Sequence, residues 1–261
     1  MYQIDYEEIE QDVFNCHNEC RTNPFIYITK LKEIQQYFND KIYHHPSEDA
    51  ITTEEGSDVI EEAILYLKSL KPIQELKYSE EISKACRDHI SDIGPKGLTD
   101  HIGSDGSNIT DRIEKYCEWD GACSESIDLG FRNAENILIN LLVDDGVSNR
   151  YQRLNIFNGK FKYMGIGASI HREYGICVVI GYAMNIRPLG SEPKNMSEFI
   201  QEYVKKTLNK QKKFKNPFQE EDIDAPDNTI AVNIVKQKKI VGGRLKRITK
   251  KIFLLDNGAQ H

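Results

Sequence analysis

DDGVSNRYQRLNIFN, residues 144–158, opens on two carboxylates and a glycine turn and closes on a hydrophobic pair that reads as buried. Gln152 stands in its middle, where a histidine would make the segment half of an acid–base or metal site. Upstream, NAENILINLLVDDG has helical periodicity from Ala134 to Leu142, with Gly146 placed as a C-cap. Downstream, YMGIGASI (163–170) and YGICVVIGYA (174–183) are β-rich runs separated by the turn-like HRE, the pattern of a hairpin. A helix and then a late hairpin around one loop point to an α+β fold.

The flanking sequence supplies more helices. Residues 6–24 place Ile9, Val13, Cys16 and Cys20 at helical spacing and stop before Pro24. A second helical pattern runs through 25–38, and residues 39–56 read as a loop. SDVIEEAILYLKSLKP begins with a Ser/Asp cap and puts Val59, Ile60, Ala63, Ile64 and Leu67 on one face. SEEISKACRDHISDIGPKG is capped by Ser79, faces Ile82, Ala85, Cys86 and Ile90 inward, and ends at Gly94–Pro95.

With 261 residues, 39% hydrophobic and 29% charged, the chain can bury one substantial core plus an appendage. No apolar run approaches the ~18 residues of a membrane span. The acidic N-terminus, MYQIDYEEIEQDVF, lacks the basic and apolar regions of a signal peptide, so a cytoplasmic location is expected. The six cysteines form no C-x-x-C pair, which suits reduced thiols. Cys16 and Cys20, with His17 between them, form half a metal site at most and read as small buried residues.

From Arg187 the composition changes. A linker, a polar helix within 196–213 and an acidic loop precede TIAVNIVKQKKIV and RLKRITKKIFLLDNG, which flank Gly242-Gly243 as strands of a second hairpin. The expected division is a core over residues 1–186, a linker with a helix over 187–228, and a basic hairpin over 229–261. Residues 236–251 hold eight Lys/Arg and no acid, and the net charge of −7 leaves −15 on the rest. An acidic body with a basic tail implies a partner.

The order of these pieces, with HNECR at 17–21, DH and DIG at 88–94, DH-I-GSDGS at 100–107, SESI at 124–127, DDGV to NIF at 144–157 and GIG at 165–167, resembles the CAP superfamily. That family, also known by its SCP domain, comprises cysteine-rich secretory proteins, antigen 5 and pathogenesis-related 1. The likeness is to an intracellular, protist-like variety, covers about residues 8–186, and implies an α-β-α sandwich with a small antiparallel sheet.

The resemblance also implies a cavity lined by two histidines and two acids. The first histidine maps to His101, the first acid to Glu125, the second acid to Asp144 or Asp145, and the second histidine position to Gln152. A glutamine neither titrates near neutrality nor ligates zinc well. Tyr151, Ser124 and Ser126 replace small or amide positions and would fill space. The expectation is therefore a site without histidine-dependent chemistry, with no cofactor and no metal. His101 reads either as a hydrogen-bonded loop residue or as a ligand, Glu125 either as functional or as the ion-pair partner of Arg150 or Arg153, and His89 as a satisfied helix residue. Asp144 and Asp145, at a helix C-terminus, need a local partner, with Arg150 or Arg153 nearest.

On these grounds the chain is expected to be a non-enzymatic docking component of an intracellular assembly with an acidic surface, such as tubulin or axonemal proteins of the cytoskeleton or cilium. Lys246, Arg247, Lys250 and Lys251 would carry the contact. The hairpin lacks the interleaved aromatics of single-strand binders, so nucleic acid is not expected. Membrane lipid is the runner-up, because eight basic residues reach the top of the ~4–8 of an anionic-lipid cluster. A metal-dependent hydrolase is the weakest alternative.

Overall fold

The computed structural model describes residues 4–44, 50–191, 229–241 and 244–255. In chain order the elements are α1 (Tyr6–Thr22), α2 (Phe25–Gln35), β1 (Phe38–Asn39), β2 (Ile42–Tyr43), β3 (Ile51–Thr52), α3 (Ser57–Ser69), β4 (Lys77–Tyr78) and α4 (Glu80–Ile93). A 3-10 turn at Gly94–Lys96 is followed by α5 (Ile109–Ile113), β5 (Cys117–Leu129), α6 (Ala134–Val143), α7 (Tyr151–Ile156), β6 (Tyr163–His171), β7 (Gly175–Pro188), β8 (Thr229–Val241) and β9 (Arg244–Leu255).

The central sheet has the order β4-β6-β7-β5, antiparallel except where β4 runs parallel to β6. Its strand β7 explains the layers. ICVVIGYA is a continuous apolar run, as expected of a strand buried on both faces. Ile176, Val178, Ile180 and Tyr182 point into a core shared with α1, α2, α3 and α6. Cys177, Val179 and Ala183 point into a second core under α4 and α5. The result is the α-β-α sandwich that the resemblance implies.

The GIG of β6 marks the closest helix–sheet approach. A side chain at Gly165 would stand 2.2 Å from the Ser83 amide nitrogen, and one at Gly167 2.7 Å from that of Arg87. Glycine lets α4 lie directly on β6, and Ser83 Oγ accepts the Ile166 N–H at 2.9 Å.

Several sequence expectations need correction. Strand β5 was not anticipated, residues 39–56 contain β2 and β3 of a small three-stranded sheet completed by β1, and the central sheet is mixed rather than purely antiparallel. Helix α3 starts at Gly56 with no side-chain cap rather than at a Ser/Asp cap. Helix α6 ends on Asp144, left-handed at φ 55°, rather than on Gly146. The last core strand runs to Pro188, and the polar helix and acidic loop expected before the second hairpin lie outside the described residues. β8 and β9 pair antiparallel about residues 242–243. All six cysteines are free, with Cys20 buried and Cys16 half-buried. No described helix is long and apolar enough to cross a membrane.

Candidate functional site

The candidate site is built on β5, an edge strand whose polar residues turn inward. Glu125, on β5, is 5% exposed. Its Oε2 accepts from Arg112 Nη2 at 2.7 Å and its Oε1 lies 2.9 Å from His101 Nδ1. The partner is thus Arg112 on α5, not Arg150 or Arg153. Arg112 is itself buried and also donates to the carbonyls of Ser107 and His101, at 2.7 and 3.3 Å, so it secures the loop that carries His101.

A carboxylate only accepts, so the His101 proton sits on Nδ1 in the neutral ring. Its Nε2 then accepts from the Tyr151 hydroxyl at the start of α7. Both ring nitrogens are occupied, and burial holds the Tyr151 phenol above its usual range. His89, on α4, stands 3.9 Å from the same Glu125 oxygen and donates from Nε2 to the Asp100 carbonyl at 3.0 Å. Burial lowers its pKa, and its Nδ1 has no partner among the described residues. His89 is therefore half-satisfied, with its ring held over the site.

Gln152 and Asp144 form a second group. Gln152 Oε1 accepts the Ile127 N–H at 3.1 Å and its Nε2 donates to Asp144 Oδ1 at 3.1 Å. Asp144 Oδ2 also accepts from the backbone N–H groups of Gln152 and Arg153, at 2.9 and 3.3 Å. Burial raises the Asp144 pKa despite these bonds. Asn155 Nδ2 reaches the Glu125 carbonyl at 3.3 Å. Ile127 N–H and Glu125 C=O face away from β7, on the open side of β5. Gln152 and Asn155 thus cover an unpaired sheet edge with side-chain amides. That accounts for a glutamine at this position, since its amide carries the acceptor and the donor on one rotatable group.

Asp145 belongs to neither group. It accepts from the backbone N–H groups of Glu54 and Glu55, at 2.7 and 2.9 Å, and so fixes the loop before α3. Of the two arginines expected to pair with Asp144 and Asp145, Arg150 donates from Nη1 to the Asp144 carbonyl at 3.0 Å, but neither forms an ion pair with the carboxylate of Asp144 or Asp145. Arg150 pairs with Glu55 and Glu62, and Arg153 with Glu62. Arg150 holds the Glu55 carboxyl down at about 2. Sequence reasoning missed Arg112 and Asn155 as members of the site. The only signal for Arg112 was its place between the GSDGS and SESI motifs.

His17 is fully buried and its Nε2 pairs with the Tyr182 hydroxyl at 2.9 Å; burial first, then Arg21, lowers its pKa to about 3. Among the described residues no group of three or more His, Cys, Asp and Glu could hold a metal ion. For Lys246, Arg247, Lys250 and Lys251 the structure gives register alone: they stand opposite Lys239, Lys238, Val235 and Ile234.

Replacing Gln152 with alanine strips the Ile127 N–H and one Asp144 oxygen of their partners. The expected cost is about 1–3 kcal/mol for each of the two groups that stays buried and unsatisfied. Chemical denaturation of the variant measures it, and a change under ~0.5 kcal/mol would show that Gln152 does not hold the edge.

The sequence pattern described as the cysteine-rich secretory protein family, CAP, matches residues 14–182, more than half of the chain. Two solved structures are similar. One is an extracellular protein containing an SCP domain from Bacillus anthracis, at 13% identity and TM-score 0.36, with 47% of this chain and 37% of that chain covered. The other is an outer surface protein from Borrelia burgdorferi, at 14% identity and TM-score 0.37, with 49% of this chain and 86% of that chain covered. The match thus spans little more than a third of the Bacillus protein. No curated protein matches the chain in sequence.

Proposed function

Because the chain belongs to the cysteine-rich secretory protein (CAP) family, we propose that it uses that fold as a non-enzymatic docking body and binds an acidic intracellular assembly through its basic hairpin. Microtubules and axonemal proteins are the first such assemblies to test. The observation that carries this reading is the hairpin register. Lys239 stands opposite Lys246 and Lys238 opposite Arg247, next to the turn. Like charges directly opposite destabilise a pair of strands, and an anionic surface removes that repulsion.

The state of the fold's polar site supports the non-enzymatic half. Both nitrogens of His101, both oxygens of Glu125 and both polar atoms of the Gln152 amide are engaged within the chain. His89 Nδ1 keeps a free lone pair beside them, and a single imidazole supplies only one of the three or more protein ligands that a zinc site needs.

The test is co-sedimentation of the full chain with microtubules, with anionic liposomes and with a native cytoskeletal fraction. Wild type is compared with Lys246→Gln/Arg247→Gln/Lys250→Gln/Lys251→Gln. Binding should weaken steeply as salt rises to about 0.15 M, where exposed charges are screened over ~8 Å. The quadruple variant should stay in the supernatant and melt no lower than the wild type, because losing Lys246 and Arg247 also relieves the cross-strand repulsion. Retention on the cytoskeletal fraction would overturn the docking role of the hairpin, and binding to liposomes alone would transfer it to lipid.

A further inference from the structure

We propose that Tyr151 is a covalent acceptor for an acyl group, its phenol prepared as a nucleophile by His101 as base, with Glu125 orienting that base. The Tyr151 hydroxyl donates to His101 Nε2, and His101 Nδ1 lies 2.9 Å from Glu125 Oε1. The two rings meet edge-on, with centroids 5.5 Å apart. A nucleophile, a base within hydrogen-bond reach and a third group that fixes the base are the arrangement by which a hydroxyl is activated for attack. The next residue of α7 takes no part, because Gln152 is committed to the Ile127 N–H and to Asp144.

Each member is held in the form its part requires. Arg112 takes Glu125 Oε2 and leaves Oε1 to the histidine. With the Nδ1 proton on that oxygen, the lone pair of the neutral ring is on Nε2, against the phenol. Burial, and after it the charges of Asp144 and Glu125, holds the Tyr151 pKa above its ordinary range. The phenol is therefore not ionised near neutrality, and its proton has to leave as the new bond forms. His101 receives it, and the resulting imidazolium lies against the Glu125 carboxylate. The His101 side chain is 39% exposed and Ile102 beside it 47%, so a small reagent can reach the pair from solvent. A second tyrosine–histidine pair, Tyr182 with His17, has neither advantage: both are fully buried, and His17 Nδ1 has no partner among the described residues.

The donor is an activated ester or thioester. Tyr151 Oη bonds to its carbonyl carbon, the bond from that carbon to the alkoxide or thiolate breaks, and the phenolic proton passes through His101 Nε2 to the leaving group. The product is an ester on the chain itself, so the docking body is modified once rather than working as a turnover centre.

Labelling of the full chain with benzenesulfonyl fluoride tests this, because sulfur replaces the carbonyl carbon, fluoride leaves, and the sulfonate ester of a phenol persists for peptide mass spectrometry. Tyr174 is the internal control. It is 52% exposed and its ring lies 5.3 Å from that of His171, but His171 donates from Nε2 to the Leu98 carbonyl and accepts at Nδ1 from the backbone N–H groups of Glu173 and Tyr174. General-base assistance is worth ~10²–10⁴-fold, so Tyr151 should react at least ~10-fold faster than Tyr174 although it is half-buried. His101→Gln keeps a donor for Glu125 and an acceptor for Tyr151 but is not basic, and should lower the ratio of Tyr151 to Tyr174 labelling by ~100-fold, with circular dichroism confirming the fold. Glu125→Gln should also lower it. Its amide oxygen would turn to Arg112 and its NH2 group to His101 Nδ1, which moves the ring proton to Nε2 and removes the base, a change of tautomer that a purely structural role would not produce. Labelling of Tyr151 no faster than of Tyr174 in the wild type, or a ratio that His101→Gln leaves unchanged, overturns the proposal.

Discussion

Replacing Glu125 with alanine should lower stability by about 3–5 kcal/mol, the cost of leaving a buried charge without its partner. Its side chain and that of Arg112 are 3% and 2% exposed, so removal of the carboxylate strands the guanidinium inside the sandwich. At ~2–4 °C per kcal/mol for a domain of this size, the melting temperature should fall by roughly 6–20 °C. Arg112→Ala should cost a similar amount and also release the loop carrying His101, whose carbonyl Arg112 holds. The informative comparison is Glu125→Met/Arg112→Met. Replacing both members of a buried pair by apolar groups of similar volume is often neutral, so the double variant should recover most of the loss. A double variant as unstable as either single one would mean that the pair's remaining hydrogen bonds, not its charge balance, hold this part of the fold. A single Glu125→Ala cost below about 1 kcal/mol would show that water reaches the pair.

The ease with which parts of this molecule could be read from sequence follows from where their partners lie. Helix α4 was legible because its signals are local. Ser79 caps it, and Ile82, Ala85, Cys86 and Ile90 fall on one face and are all buried. The β6–β7 hairpin was legible for the same reason, as two apolar runs about a short turn. Strand β5 was not, because CEWDGACSESIDL has neither alternation nor an apolar run. Gly121, with φ 91°, sits in a break of register between Asp120 and Cys123, and the buried positions include Glu125, Ser126 and Asp128. The motif likeness named His101 and Glu125 for one cavity, and in the structure the two side chains are in contact. It could not show that Arg112 answers Glu125, that Tyr151 caps a histidine 50 positions earlier, or that Asp145 serves a loop 90 positions away. Those choices are made by tertiary packing, to which periodicity is blind. The four basic positions of the hairpin were legible as charge and turn chemistry alone.

Asp128 should make the protein less stable as pH rises from about 4 to about 7, and an Asp128→Asn variant should be free of that loss. The carboxyl is 1% exposed on β5, with Oδ1 accepting from Asn140 Nδ2 at 2.7 Å and Oδ2 without a partner among the described residues. Burial raises its pKa from 3.8 to about 7, and the bonds from Asn140 and the Phe131 N–H lower it only partly. The sign follows from proton binding. Below pH ~4 the group is protonated folded and unfolded, and its contribution is fully present. As pH rises, the unfolded chain releases the proton first, so stability is lost until the folded carboxyl also ionises near pH 7. At 1.36 kcal/mol per pH unit the whole loss has an upper limit of about 4 kcal/mol, of which roughly 2–3 kcal/mol falls between pH 5 and pH 8. Asparagine keeps an oxygen for Asn140 and cannot ionise. Unfolding free energies of wild type and Asp128→Asn, measured by denaturant at several pH values, should therefore converge toward pH 4 and diverge in favour of the variant above pH 6. All other titrating groups are shared, so they cancel in the difference. A difference that does not change with pH would mean that Asp128 is ionised in the folded protein throughout. Its free oxygen would then have to be hydrated, and β5 would be open to water on the face that the sandwich otherwise closes.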